Sequence, residues 1–150
     1  QKRVFSMIPG LENAEFVRYG VMHRNTFLDS PRLLDEWFML RGSDNVFFGG
    51  QMTGVEGYVE SAASGIIAGR ALADRLSGKQ PLTLPRTTML GALCSYISDP
   101  TVENFQPMAS SMGILPSLDR VIKGKQERYG ALAQRALSDL DKALSDSEDT

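Results

Sequence analysis

Val46-Phe47-Phe48-Gly49-Gly50-Gln51-Met52-Thr53-Gly54-Val55-Glu56-Gly57-Tyr58 decides how this chain is read. The apolar run Val46 to Phe48 reads as a short buried strand and the glycine-rich segment after it as a turn. Beyond Gly54 the chain reads as a helix reaching about Leu76. Strand, glycine turn and helix start leave backbone N–H groups free at the positive end of a helix, which suits an anionic or hydrogen-bonding ligand. Gly57, Ser61, Gly65 and Gly69 recur every four residues, so one helix face is almost bare and can lie close to a sheet or a flat ligand. Each interior glycine costs a helix up to about 1 kcal/mol against alanine, which points to a packing or ligand reason. The same turn occurs in α/β proteins that bind nothing there, and both readings stand.

One hundred and fifty residues make about one domain, and 42% apolar with 23% charged residues is an ordinary globular balance. The net charge of −2 gives no global basic field for nucleic acid. The single cysteine, Cys94, excludes an internal disulfide and fits a reducing cytoplasmic setting. No apolar run has the length of a membrane span. The chain opens at Gln1 without a methionine, and a piece of a longer protein is expected.

Upstream of the turn, Gln1 to Ile8 reads as a helix ended by Pro9-Gly10, and Phe16 to Val21 as a strand. Met22-His23-Arg24-Asn25-Thr26 is a loop dense in hydrogen-bonding groups. Leu33 to Leu40 reads as a strand, joined by the turn Gly42 to Asn45 to Val46–Phe48 as an antiparallel hairpin. Downstream, Pro81 to Pro85 is an extended linker, and Thr87-Thr88 can cap a helix closed by Asp99-Pro100. Phe105 to Pro116 is loop with one short strand. A final amphipathic helix is expected from Ser117, with an acidic tail, 146–150, that frays.

His23, the only histidine, could donate to or stack on a polar ligand, or simply be solvated. It has no partners for a metal site. Cys94 lacks a flanking base and reads as core. Ser61 and Ser64 have no partner histidine nearby, so no catalytic triad is argued. Glu56 and Glu60 are favoured by the helix dipole and could equally bond a ligand. Arg18, Arg24 and Arg41 could contact phosphates or be solvated.

Pro9-Gly10-Leu11-Glu12-Asn13-Ala14-Glu15-Phe16, Tyr19-Gly20-Val21-Met22-His23-Arg24-Asn25-Thr26, and Gly50-Gln51-Met52-Thr53-Gly54-Val55-Glu56-Gly57-Tyr58-Val59-Glu60-Ser61-Ala62-Ala63 resemble the bacterial folate- and flavin-dependent tRNA uracil-5 methyltransferases, the TrmFO or Gid family. Phe105-Gln106-Pro107-Met108, Gly113-Ile114-Leu115-Pro116 and Lys125-Gln126-Glu127-Arg128-Tyr129 extend the resemblance over nearly all of the chain. The sibling GidA (MnmG) family, which modifies wobble uridine, shares the Pro-Gly-Leu-Glu-Asn-Ala start and the glycine turn. The Tyr19 to Thr26 run and Val55 to Ser61 favour the methyltransferase.

The resemblance implies an α/β fold: the C-terminal part of a Rossmann-like FAD-binding domain, with a few short strands, a long glycine-ridged helix and a long C-terminal amphipathic helix. Residues 1–150 would form that portion, the N-terminal residues abutting an insertion domain. The family enzyme transfers a methylene group from 5,10-methylenetetrahydrofolate to C5 of uridine 54 in tRNA. FAD, reduced by NAD(P)H, supplies the reducing equivalents. By similarity Gly50, Gln51, Met52, Thr53, Gly54, Val55, Glu56, Gly57 and Tyr58 would face FAD, and His23, Arg24 and Asn25 would bind folate. No catalytic residue and no metal site carry over. The N-terminal Gly-x-Gly-x-x-Gly fingerprint and the family's cysteines are absent, and Cys94 does not take their role. The 150-residue piece is therefore expected to be inactive alone and, with buried surfaces stripped of neighbours, to self-associate. The reading from a different class is a non-catalytic helical interaction module.

Overall fold

Helix α3 (Tyr58–Leu76) follows the glycine turn in the computed structural model, which describes residues 2–17 and 26–148. The other helices are single turns at α1 (Lys2–Phe5) and α2 (Ser30–Leu33), then α4 (Met89–Ser98) and α5 (Lys125–Glu148). Short 3-10 turns occupy Gly50–Thr53 and Met112–Ile114. α3 stops at Leu76, where the sequence places its end, and Ser77 and Gly78 donate to the last helical carbonyls. α4 begins after Thr88, whose hydroxyl accepts the Gly91 amide at 2.9 Å, and ends before Asp99, both as the cap residues predict.

The core gathers around α4. Leu93, Cys94 and Ile97 pack with Leu34, Phe38, Val55, Ala68 and Phe105, all buried. The apolar density of α4 explains its place: five of its ten residues are buried. Gly91 sets how closely it approaches the linker, because a Cβ there would run into the Pro85 carbonyl oxygen.

The expected α/β class is not confirmed by the structure, whose regular elements are helical. Among the described residues there is no strand, only three isolated bridges: Leu34 with Leu40, Met39 with Phe47 (both antiparallel) and Val55 with Met108 (parallel). The hairpin between 37–40 and 46–48 exists in its predicted sense, through Leu40 N–H to Val46 O at 2.8 Å and Phe48 N–H to Phe38 O at 2.9 Å, but no ladder extends from it. Leu33 to Leu40 is not extended. The Asp35 carboxylate accepts the amides of Trp37 and Met39 at 3.0 and 2.9 Å, and Phe38 sits at φ 64°, so the segment folds back on itself. In the expected strand at Phe16 to Val21, Phe16 and Val17 are not in a strand and the rest lies outside the described residues.

Two further expectations shift. The first helix is one turn, Lys2–Phe5, followed by turns to Gly10. The last begins at Lys125, not Ser117. Leu118, Val121 and Ile122 have helical spacing, yet their segment packs on α5 as a loop. Arg135 forks onto the carbonyls of Pro116 and Ser117 at 2.5 and 2.8 Å, satisfying groups a helix would have used, while Ile122 and Leu132 are buried.

Gly91→Ala should lower the urea midpoint, at a cost of roughly 1–3 kcal/mol for forcing a methyl into the backbone of Pro85. Gly69→Ala, where a Cβ meets nothing within 4 Å, should raise stability by about 0.5–1 kcal/mol. Equal effects would show that the approach of α4 to the linker is not tight.

Candidate functional site

The glycine turn is held by side chains that the chain supplies from α3 itself. The Gly50 amide donates to the Ser64 hydroxyl at 2.7 Å, and Ser64 donates on to the Ser61 carbonyl at 2.8 Å. Thr53 closes the turn by donating to the Gly50 carbonyl at 2.8 Å. Ser64 and Thr53 are both buried, so these bonds are shielded from water. The helix comes backbone-close to the turn, as the bare ridge allows: a Cβ on Gly49 would stand 3.5 Å from the Gly65 Cα. Gly65 and Gly69 themselves look into open space.

Two positions demand glycine. Gly54, at φ 86°, ends the 3-10 turn with the Phe105 ring where its side chain would be. Gly57, at φ 100°, is the N-cap of α3 and faces the Glu60 carboxylate. Between them, Val55 is buried and bridged to Met108, through Met108 N–H to Gly54 O at 2.9 Å and Glu56 N–H to Met108 O at 3.0 Å.

Among the described residues no side chain makes a cap hydrogen bond at the start of α3, and its first-turn amides at Tyr58, Val59 and Glu60 form the positive end of a nineteen-residue helix. Gln51, Met52, Gly57, Tyr58 and Val59 are exposed around that end. Glu60 leans back over it. Its carboxylate accepts the Ser110 hydroxyl at 2.5 Å and the Ser110 amide at 3.2 Å, and the hydroxyl bond above all holds it below the usual carboxylate range. The Ser61 hydroxyl, buried next to Glu60 in sequence, has no hydrogen-bond partner among the described residues. The arrangement offers backbone donors, an open approach and one carboxylate. It can hold a flat, hydrogen-bonding ligand edge, and the carboxylate disfavours a second dense negative charge.

Of the sequence-derived site, the turn residues Gly50 to Tyr58 come together, with Thr53, Gly54 and Val55 as its buried underside. His23, Arg24 and Asn25 lie outside the described residues, as does Arg18. The chain re-enters description at Thr26, and Leu28 donates to the Met52 carbonyl at 2.9 Å, so this stretch arrives at the turn. Arg41 is not free for a phosphate: it donates to the Ser98 carbonyl at 2.7 Å, at the negative end of α4. Cys94 is a core residue as expected, its thiol pushed up to about 12 by burial and, secondarily, by the Glu36 charge. Ser64 and Ser110 are site-supporting residues that sequence reasoning missed. Helical spacing put Ser64 on the turn-facing side of α3, but nothing marked Ser110 as the partner of a residue fifty positions earlier.

The family description "glucose inhibited division protein A" matches residues 1–80, which takes in the whole turn and α3. The chain belongs to the glucose inhibited division protein A family. This is a Rossmann-like flavoprotein family. Its member from Streptococcus agalactiae (strain NEM316), the methylenetetrahydrofolate–tRNA-(uracil-5-)-methyltransferase TrmFO, is 58% identical over 146 residues, 97% of this chain and 33% of that protein. The proteins of the same name from Streptococcus suis and Lactiplantibacillus plantarum are each 56% identical, over 97% and 93% of this chain. The chain spans about a third of the length of these relatives. Among the described residues no helix is long and apolar enough to cross a membrane, and no three metal-ligating side chains converge.

Ser110→Ala should move the Glu60 pKa upward, toward the ordinary carboxylate value, in a side-chain carboxyl NMR titration. Whatever stability the Glu60–Ser110 bond gives is complete above the unfolded carboxylate pKa and lost as pH falls through the lowered one. An unmoved pKa would mean that the hydroxyl does not hold the charge. Cys94 should resist alkylation at pH 8 in the folded chain and react once urea unfolds it.

Proposed function

We propose that this chain is the C-terminal portion of the FAD-binding domain of a tRNA methyltransferase. That enzyme places a methyl group on C5 of uridine 54 from 5,10-methylenetetrahydrofolate, in the cytoplasm. The observation that carries the reading is the 56–58% identity to methyltransferases of that name across almost the whole chain. The geometry of the turn supports it. A helix start led by glycine suits the hydrogen-bonding edge of a flavin ring, and Tyr58 and Val59 are exposed there while the Glu60 carboxylate stands over Gly57.

In this reading Gly50 to Gly57 hold their backbone against the flavin, and Tyr58, Val59 and Glu60 direct N–H groups at its ring edge. Glu60 favours that neutral edge over the pyrophosphate at this helix end, because its own carboxylate already meets the positive dipole. FAD supplies the reducing equivalents, themselves drawn from NAD(P)H. His23, Arg24 and Asn25 contact the folate, a role supported by the arrival of Thr26–Leu28 at Met52. The apolar surface of α3, with Val59 78%, Ile66 72% and Leu76 80% exposed, would be covered in the whole protein, and the isolated 150-residue chain self-associates through it.

The test uses the full-length protein that carries this chain, with unmodified tRNA transcript, methylenetetrahydrofolate and NADPH. Methylation confined to uridine 54 is expected, and modification at the wobble uridine instead would contradict the reading. Gly57→Leu should strip flavin from the purified full-length protein, read as lost visible flavin absorbance. Gly42→Leu, equally strained at φ 79° but remote from the turn, should leave flavin content intact. Light scattering should show the isolated chain larger than a monomer at high concentration.

A further inference from the structure

A basic cleft sits at the opposite end of the sequence from the glycine turn. Arg120, Lys123, Lys125 and Arg128 place four of the chain's 16 Lys and Arg side chains within nine residues, in a chain of net charge −2. All four are exposed, and none forms an ion pair among the described residues. Asp119 and Glu127 are interleaved with them in sequence, and two of the four cations, Arg120 and Arg128, are brought together in space. Arg120 and Arg128 line one cleft of about 340 Å³ between the 112–122 loop and the start of α5, floored by Leu115, Ile122 and Leu132. Arg128 and Lys125 each stand 5.6 Å from the centre of the Tyr129 ring, which is half-buried between them.

Unpaired, exposed cations gathered on one surface repel one another and are stabilised by an anionic partner. The Arg135 fork on Pro116 and Ser117 fixes the loop that carries Arg120 against α5. An aromatic ring flanked by two cations beside an open cleft matches what a polyphosphate backbone with stackable bases presents.

We propose that Arg120, Lys123, Lys125, Arg128 and the Tyr129 ring form a phosphate-contacting surface for the RNA substrate. The inference rests on the tRNA methyltransferase reading and names where that protein grips the RNA backbone. Base identity is read elsewhere, since phosphate contacts position without specifying.

The experiment measures tRNA affinity of the full-length flavin-loaded protein by filter binding across a salt series, for the parent, R120A/K125A/R128A, and the charge-keeping R120K/R128K. The triple variant should bind at least tenfold more weakly at low salt. Its log affinity should fall less steeply with log salt, by about 2 in slope for three lost phosphate contacts. Its flavin absorbance and NADPH-dependent flavin reduction should match the parent, and R120K/R128K should keep the parental slope. An unchanged affinity and slope in the triple variant, with a parent that methylates uridine 54, would overturn this surface and leave the enzyme reading standing. A parent that binds no tRNA would overturn both.

Discussion

The hydrogen bond from the Gly50 amide to the buried Ser64 hydroxyl is the contact on which the rest depends. It joins the first residue of the glycine turn to the second turn of α3, and Ser64 is itself anchored to the Ser61 carbonyl. With the turn fixed, Gly54 must reverse the chain under Phe105, Val55 must enter the core, and Gly57 must launch the helix at positive φ. The exposed helix end is thus positioned from below by packing. Above it stands the Glu60 carboxylate, held by Ser110.

Electrostatics set the two ends of α4 apart from the start of α3. At α4 the start is capped by Thr88 and the end by the Arg41 guanidinium, so that helix is closed to ligands. At α3 the start keeps its amides, while Glu60 is drawn aside by Ser110. A carboxylate so placed weakens the helix end as a phosphate site and leaves it suited to a polar ring edge. A separate group of cations lies apart from this end, around Tyr129.

Much of this was legible in the sequence. The bounds of α3 and α4 follow from glycine, threonine and proline punctuation, the buried state of Cys94 from its apolar neighbours, and the family from its long motifs. The strands were not legible. Leu33 to Leu40 has the composition of a strand, but whether a β-branched or aromatic run extends depends on a neighbouring strand to pair with, and here Asp35 captures the amides instead. The loop before α5 misled for the same reason. The helical spacing of Leu118, Val121 and Ile122 does not make their backbone helical: only Ile122 is buried, Val121 is exposed, and the deciding contact comes from Arg135 on another element.

The most direct test of the central claim is amide hydrogen exchange across the glycine turn in the full-length apoprotein, with and without FAD. Exchange at the Tyr58, Val59 and Glu60 amides should slow strongly on adding FAD, with smaller protection over residues 50–57 and little change in α5. FAD binding that protects other regions and leaves these three amides exchanging as before would contradict the account.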